Sequence, residues 1–171
     1  FNESFAVTVQ TEGLARWLSS RGRSGEMQLY SGQRRVEQAV NEEFAQARAR
    51  LKTLYASTIS VAQKRERKRQ LLVDTGRDVL ALERRAHMHS EYDEWIHSGL
   101  NNAHLAAVGT YFDCVDGFEA LLHQQHGDLS QFYAAVRRIA REPDARRSLC
   151  HADGTTTTAK AAPTEAARTV D

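Results

Sequence analysis

The sequence predicts an all-α protein: a long antiparallel helical hairpin packed with several shorter helices. Three observations carry this expectation. Both prolines, Pro143 and Pro163, fall late in the 171-residue chain, so residues 1–142 contain none of the rings that remove a backbone donor and break helices. Apolar residues recur at steps of three and four over long stretches, most regularly between Val36 and Leu54. No stretch reads convincingly as a strand.

Taken in order, Phe5, Val9, Leu14, Trp17 and Leu18 follow helical steps and predict a first helix over residues 1–18. Ser19–Gly25 (SSRGRSG) then reads as a loop. Val36, Val40, Phe44, Ala47, Leu51 and Leu54 place an apolar stripe down one side of a second helix over about 29–55. Ala56–Ser60 interrupts it, and Ser60 with Gln63 three residues on has the form of a capping box that opens a third helix over 61–86. A short polar connection makes these two helices antiparallel neighbours. Lys64–Arg69 (KRERKR) holds no apolar residue, so this part of the third helix stays out of any core. It reads as a solvated face rather than a phosphate-binding patch, because no aromatic residue interleaves for stacking.

Residues 88–100 lose the helical period yet hold Tyr92, Trp95 and Ile96, which predicts an ordered connection folded back on the core. A helix over 101–112 follows, then one over 117–126 capped by Asp116 and ended by Gly127. Asp128 and Gln131 repeat the capping pattern before a helix over 129–141, which Pro143 is expected to stop. From Ala152 onward the chain turns to Thr, Ala, Gly and Pro, so the expected organisation is a helical unit over 1–151 and a disordered tail over 152–171.

Composition narrows the function. Hydrophobic residues at 41% and charged residues at 26% are those of a soluble globular protein. Lys and Arg number 23 against 22 Asp and Glu, a net charge of +1 that argues against nucleic acid or an anionic bilayer as the main partner. No apolar run reaches the roughly 18 residues of a membrane span. Cys114 and Cys150 allow one bridge at most and leave the redox compartment open. Phe1 opens no secretory signal, and the chain is expected to continue upstream in its parent.

None of the seven histidines precedes a Glu, so HExxH is absent from these residues, as are GxSxG, the P-loop, GxGxxG and the EF-hand loop. His123 and His126 could share a metal from one helix face, and His87 and His89 are close in sequence; without converging Cys or carboxylates, both pairs read as surface histidines.

A set of short segments says more. Phe1-Asn2-Glu3-Ser4-Phe5-Ala6 at the head of a helix is similar to the NExxA-type segment of gluzincin metallopeptidases. Glu12-Gly13 and Arg16-Trp17-Leu18 follow it; Leu54–Ser57 precedes the basic segment; Asn101-Asn102-Ala103 leads through Leu105-Ala106 to Tyr111; Asp128-Leu129 and Phe132-Tyr133 close the series. Together, over residues 1 to 141, they resemble the C-terminal portion of a bacterial zinc aminopeptidase family, beginning at FNESFA, whose HExxH helix lies before it. One departure is Val115-Asp116-Gly117-Phe118, where the family pattern has Val-Pro-Ala-Phe.

The resemblance implies a catalytic zinc held by two imidazoles of the HExxH helix and by Glu3, with a water in the fourth position. It implies a peptide substrate hydrolysed at its N-terminal bond, and a cell-envelope or periplasmic location. Tyr111 could donate a hydrogen bond to the developing oxyanion, or be an ordinary core tyrosine. Asn101 and Asn102 could bind the substrate's free amino end, or one of them could cap the following helix. With one ligand of three and no general base, these residues alone are expected neither to hold zinc tightly nor to hydrolyse peptides. The rival expectation is a non-enzymatic helical interaction module whose Val36–Leu54 stripe serves a partner helix. The oligomeric state stays open, since the stripe could be satisfied within one chain or between two.

Overall fold

The computed structural model describes residues 1–150 as eight α-helices with no strand among them. The expected tail and the boundary at 151 lie outside the described residues.

The hairpin is the frame. Helix α2 (Ser24–Ala56) and helix α3 (Val61–Ala86) run antiparallel, joined by Ser57–Ser60. The turn closes as the capping pattern predicts: the Ser60 hydroxyl accepts from Gln63 N at 3.3 Å, and the Gln63 side chain accepts from Ser60 N at 3.0 Å. The α2 stripe is consumed inside the chain. Val40, Phe44, Ala47 and Leu51 are buried against Leu72 and Val79 of α3 and Leu105 and Val108 of α5 (Asn102–Phe112). Residues 61–70 of α3 contribute nothing to this core, as their composition requires.

The connection after α3 folds back as expected, and its centre is a short helix, α4 (Asp93–Ser98). Tyr92 is buried with its ring edge-on to Phe44, and Trp95 lies flat against the His104 imidazole at 4.6 Å. Gly76 permits this approach, because a Cβ there would stand 2.9 Å from Ile96 Cγ2.

A second core joins α1 (Asn2–Ser20) to α6 (Val115–Gln124), α7 (Leu129–Ile139) and α8 (Pro143–Cys150). Phe118 and Phe132, fully buried, receive Phe1 and Phe5 from α1 at ring distances of 4.9–5.9 Å. Such aromatic contacts contribute beyond the area they bury.

Four expectations are corrected. The loop after α1 shrinks to Arg21–Arg23, because Ser24–Gln28 extends α2 by more than a turn with no proline to prevent it. Asp116 does not cap α6: Cys114 occupies that position without a side-chain cap, and Asp116 sits inside the first turn, where its charge complements the helix dipole. Helix α7 ends at Ile139, ahead of the expected Arg141. Pro143 does not merely stop a helix but opens another, α8, since the first helical position needs no backbone donor. Cys114 and Cys150 are disulfide-bonded across 36 residues, tying the end of α8 to the start of α6.

Candidate functional site

The predicted ligand segment is rigidly seated. Ser4 is fully buried; its hydroxyl accepts from Cys114 N at 3.4 Å and its carbonyl accepts from the Thr8 hydroxyl at 3.0 Å. Phe1 and Phe5 hold the same turn against α6 and α7. Asn2, Glu3 and Ala6 are left on the exposed side. Among the described residues, Glu3 makes no hydrogen bond or ion pair, so its carboxylate is available to an outside cation.

The Ser4–Cys114 contact sets the first turn of α1 against the joint between α5 and α6, and Tyr111 lies in the last turn of α5. Tyr111 is 48% exposed, which removes it from the core. Among the described residues no hydrogen bond or aromatic contact joins Tyr111 to Glu3 or to the first turn of α1.

The two asparagines stand elsewhere. Asn101 caps α5, its side-chain oxygen accepting from Ala103 N at 2.8 Å and His104 N at 3.1 Å. Asn102 donates to the Tyr55 hydroxyl at 3.0 Å, fastening α5 to the closed end of the hairpin. Ten residues at 1.5 Å each put this end of α5 about 15 Å from Tyr111. Both asparagine side chains are engaged in bonds that hold α5 in place.

Two clefts flank α6. One, of about 500 Å³, opens between α2 and the α5–α6 joint and includes Arg34, Asn41, Arg48, Asp113 and Glu119. Arg48 is committed there, donating to the Leu105 carbonyl at 3.0 Å and to Asp113. The other, of about 630 Å³, lies between α1 and α6 and includes Thr8, Glu12, Glu119, His123 and His126. Glu119 faces both. Burial pushes its carboxyl up, Arg34 opposes that, and Asp116 and Glu12 add to it. Its spacing from His123, four residues on the same helix, was the available sequence signal. Neither cleft includes Glu3, Tyr111, Asn101 or Asn102.

Among the described residues, no three His, Cys, Asp or Glu side chains come together as metal ligands. Glu3 is a single carboxylate, so the residues present do not by themselves fit a zinc ion.

Among the described residues the fold is that of a wholly helical protein whose N-terminal turn is fixed by the buried Ser4. The chain belongs to the Aminopep family, described as "Putative aminopeptidase", whose profile it matches over residues 1–150, the full span of the eight helices. No curated protein and no solved structure matches it.

Proposed function

We propose that this chain is the C-terminal, ligand-bearing part of a gluzincin-type zinc aminopeptidase, with Glu3 as the third protein ligand and the histidine pair lying outside these residues. The observation that carries the reading is family membership over residues 1–150 together with FNESFA at the head of α1. The seating of that turn supports it. A ligand should sit on a rigid element, and the buried Ser4 and the two phenylalanines fix the helix that presents Glu3.

In this reading Tyr111 donates its phenolic hydrogen bond to the oxyanion that forms on the scissile carbonyl. Asn101 and Asn102 take no part in binding the substrate's amino end; they hold α5 in place. The 171 residues alone neither hold zinc nor cleave peptides. The Cys114–Cys150 bond supports an oxidising compartment, in keeping with a bacterial cell envelope or periplasm.

The test is zinc content and hydrolysis of aminoacyl amides by a longer product of the same gene, beside the present chain. Zinc near one per chain with hydrolysis only in the longer protein is expected, with both lost in Glu3→Gln. Tyr111→Phe should lower turnover and leave zinc in place. Full zinc in Glu3→Gln, or no zinc in the longer protein, would overturn the ligand assignment.

A further inference from the structure

The net charge of +1 hides a separation. Between Arg50 and Arg69, the closed end of the hairpin, seven Lys and Arg face one Glu, a local charge of +6 that leaves −5 on the rest of the chain. Among the described residues the one ion pair in this set joins Arg69 to Glu66. Lys64 is engaged at the turn, its ammonium donating to the Tyr55 carbonyl at 2.7 Å, and Lys52 lies in the last turns of α2. Arg65 and Lys68 lie on neighbouring rows of α3, three residues apart.

Two apolar side chains share this end. Val61, in the first turn of α3, is 66% exposed, and Tyr55 is 43% exposed. The Tyr55 hydroxyl is bonded to Asn102 of α5, whereas Val61 makes no contact with either core. Arg65 and Lys68 lie about 7–11 Å along the helix from the turn at 1.5 Å per residue, a distance their long side chains bridge while Val61 leads.

We propose that the closed end of the hairpin is a docking surface for an anionic lipid bilayer, with Lys52, Arg65, Arg67 and Lys68 on the headgroups and Val61 entering the interfacial layer. A flat anionic surface fits this arrangement. It attracts the +6 end more strongly than the rest of the chain, whose net charge is −5, and so favours an orientation with the hairpin pointing down. The exposed valine favours a bilayer over nucleic acid, which offers no apolar layer to receive it and would require the stacking aromatics this end lacks. The proposal is independent of the peptidase reading.

The experiment is co-sedimentation of the 171-residue chain with vesicles of phosphatidylcholine mixed with phosphatidylglycerol, and with phosphatidylcholine alone. Binding to the mixed vesicles only, weakening as salt is added, is expected. Each cation near an anionic surface is worth about fivefold in partition, so the triple change Arg65→Glu, Arg67→Glu and Lys68→Glu should lower it by about a hundredfold or more. These side chains lie outside the core, and an unchanged far-UV spectrum checks the fold. Val61→Ser should weaken binding without altering its salt dependence. Absence of binding to the mixed vesicles, or binding indifferent to the charge reversal, would overturn the proposal. So would equal affinity for a DNA duplex at matched phosphate with Val61→Ser without effect, which would assign the surface to nucleic acid.

Discussion

Gly117 is where α8 lies closest to α6, and replacing it by Ala tests what holds α8 there. A Cβ at this position would stand 2.9 Å from the Leu149 carbonyl carbon, 3.0 Å from Leu149 Cγ, and nearer still to the Leu149 oxygen. Carbon atoms rest at about 3.5–4.0 Å, so α8 must withdraw by roughly 0.6 Å or more. The neighbouring residue, Cys150, is tied to Cys114 at the head of the same α6, so this withdrawal is opposed. Overpacking of this kind costs about 1–3 kcal/mol. Ala in a helix interior returns up to about 1 kcal/mol relative to Gly. Gly117→Ala should therefore destabilise the disulfide-bonded protein by about 1–2 kcal/mol. In a Cys114→Ala/Cys150→Ala background α8, which has no fully buried residue, is free to shift, and the same change should be neutral or stabilising by up to about 1 kcal/mol. Urea unfolding of the four proteins closes a double-mutant cycle. An equal cost in both backgrounds would show that the bond does not hold α8 against α6, and the reasoning would fail. The departure from the family-like Ala at this position then has a physical reason: only Gly fits beneath α8 where it now lies.

Phe44→Ala, which empties a fully buried position between the hairpin helices and Tyr92, should cost about 3–5 kcal/mol in denaturant unfolding; a loss below 1 kcal/mol would mean the site refills. Removing both cysteines opens a bond spanning 36 residues, a chain-entropy effect of about 4 kcal/mol, and should lower the melting temperature by roughly 10 °C; a shift of a degree or two would contradict it. Glu83 is buried and lies beside Asp93 and Ser90. Burial raises the Glu83 carboxyl above its ordinary value, with Asp93 adding to the rise and Ser90 opposing it, while the hydrogen bond from Glu83 lowers Asp93. The unfolded chain then loses the Glu83 proton first as pH rises, and stability falls between the ordinary and the raised value. Glu83→Gln keeps a donor for Asp93 without that loss, so its stability advantage should grow as pH rises above the ordinary carboxylate range of about 4 in thermal melts; a constant difference would rule this out.

The hairpin was legible because its signals are local: the stripe from Val36 to Leu54, the capping pair Ser60 and Gln63, and a basic segment that no core could accept. Asn101 as a cap was among the readings left open, since an Asn before an apolar run serves either purpose. What the sequence could not convey depends on other elements. Helix α8 was missed because Pro143 was read as a stop, and a proline stops one helix and starts another with equal ease. The disulfide needed the three-dimensional approach of α8 to α6. Glu119 reads as one more charged residue until α1 and α2 are seen on either side of it. The basic end was visible as residues but hidden as a field, because the opposing charge sits elsewhere in the chain and cancels it in the total. Glu3 was singled out by family-like segments, and the fold supplies its neighbours: a buried Ser4 and an anchored turn.

Of the two tryptophans one lies on the surface of α1 and one is packed on the hairpin core, and this divides the protein optically. Trp17, on α1, is 46% exposed with the Arg23 guanidinium 5.2 Å from its ring, so its emission is that of an indole in water. Trp95 is packed on the hairpin core with its ring flat against the His104 imidazole, where emission is shifted and quenched. A Trp17→Phe protein therefore reports the hairpin alone, and a Trp95→Phe protein the α1 side alone. Coincident transitions in the two would mean that the halves melt as one cooperative unit; separate ones would time their uncoupling without any added label.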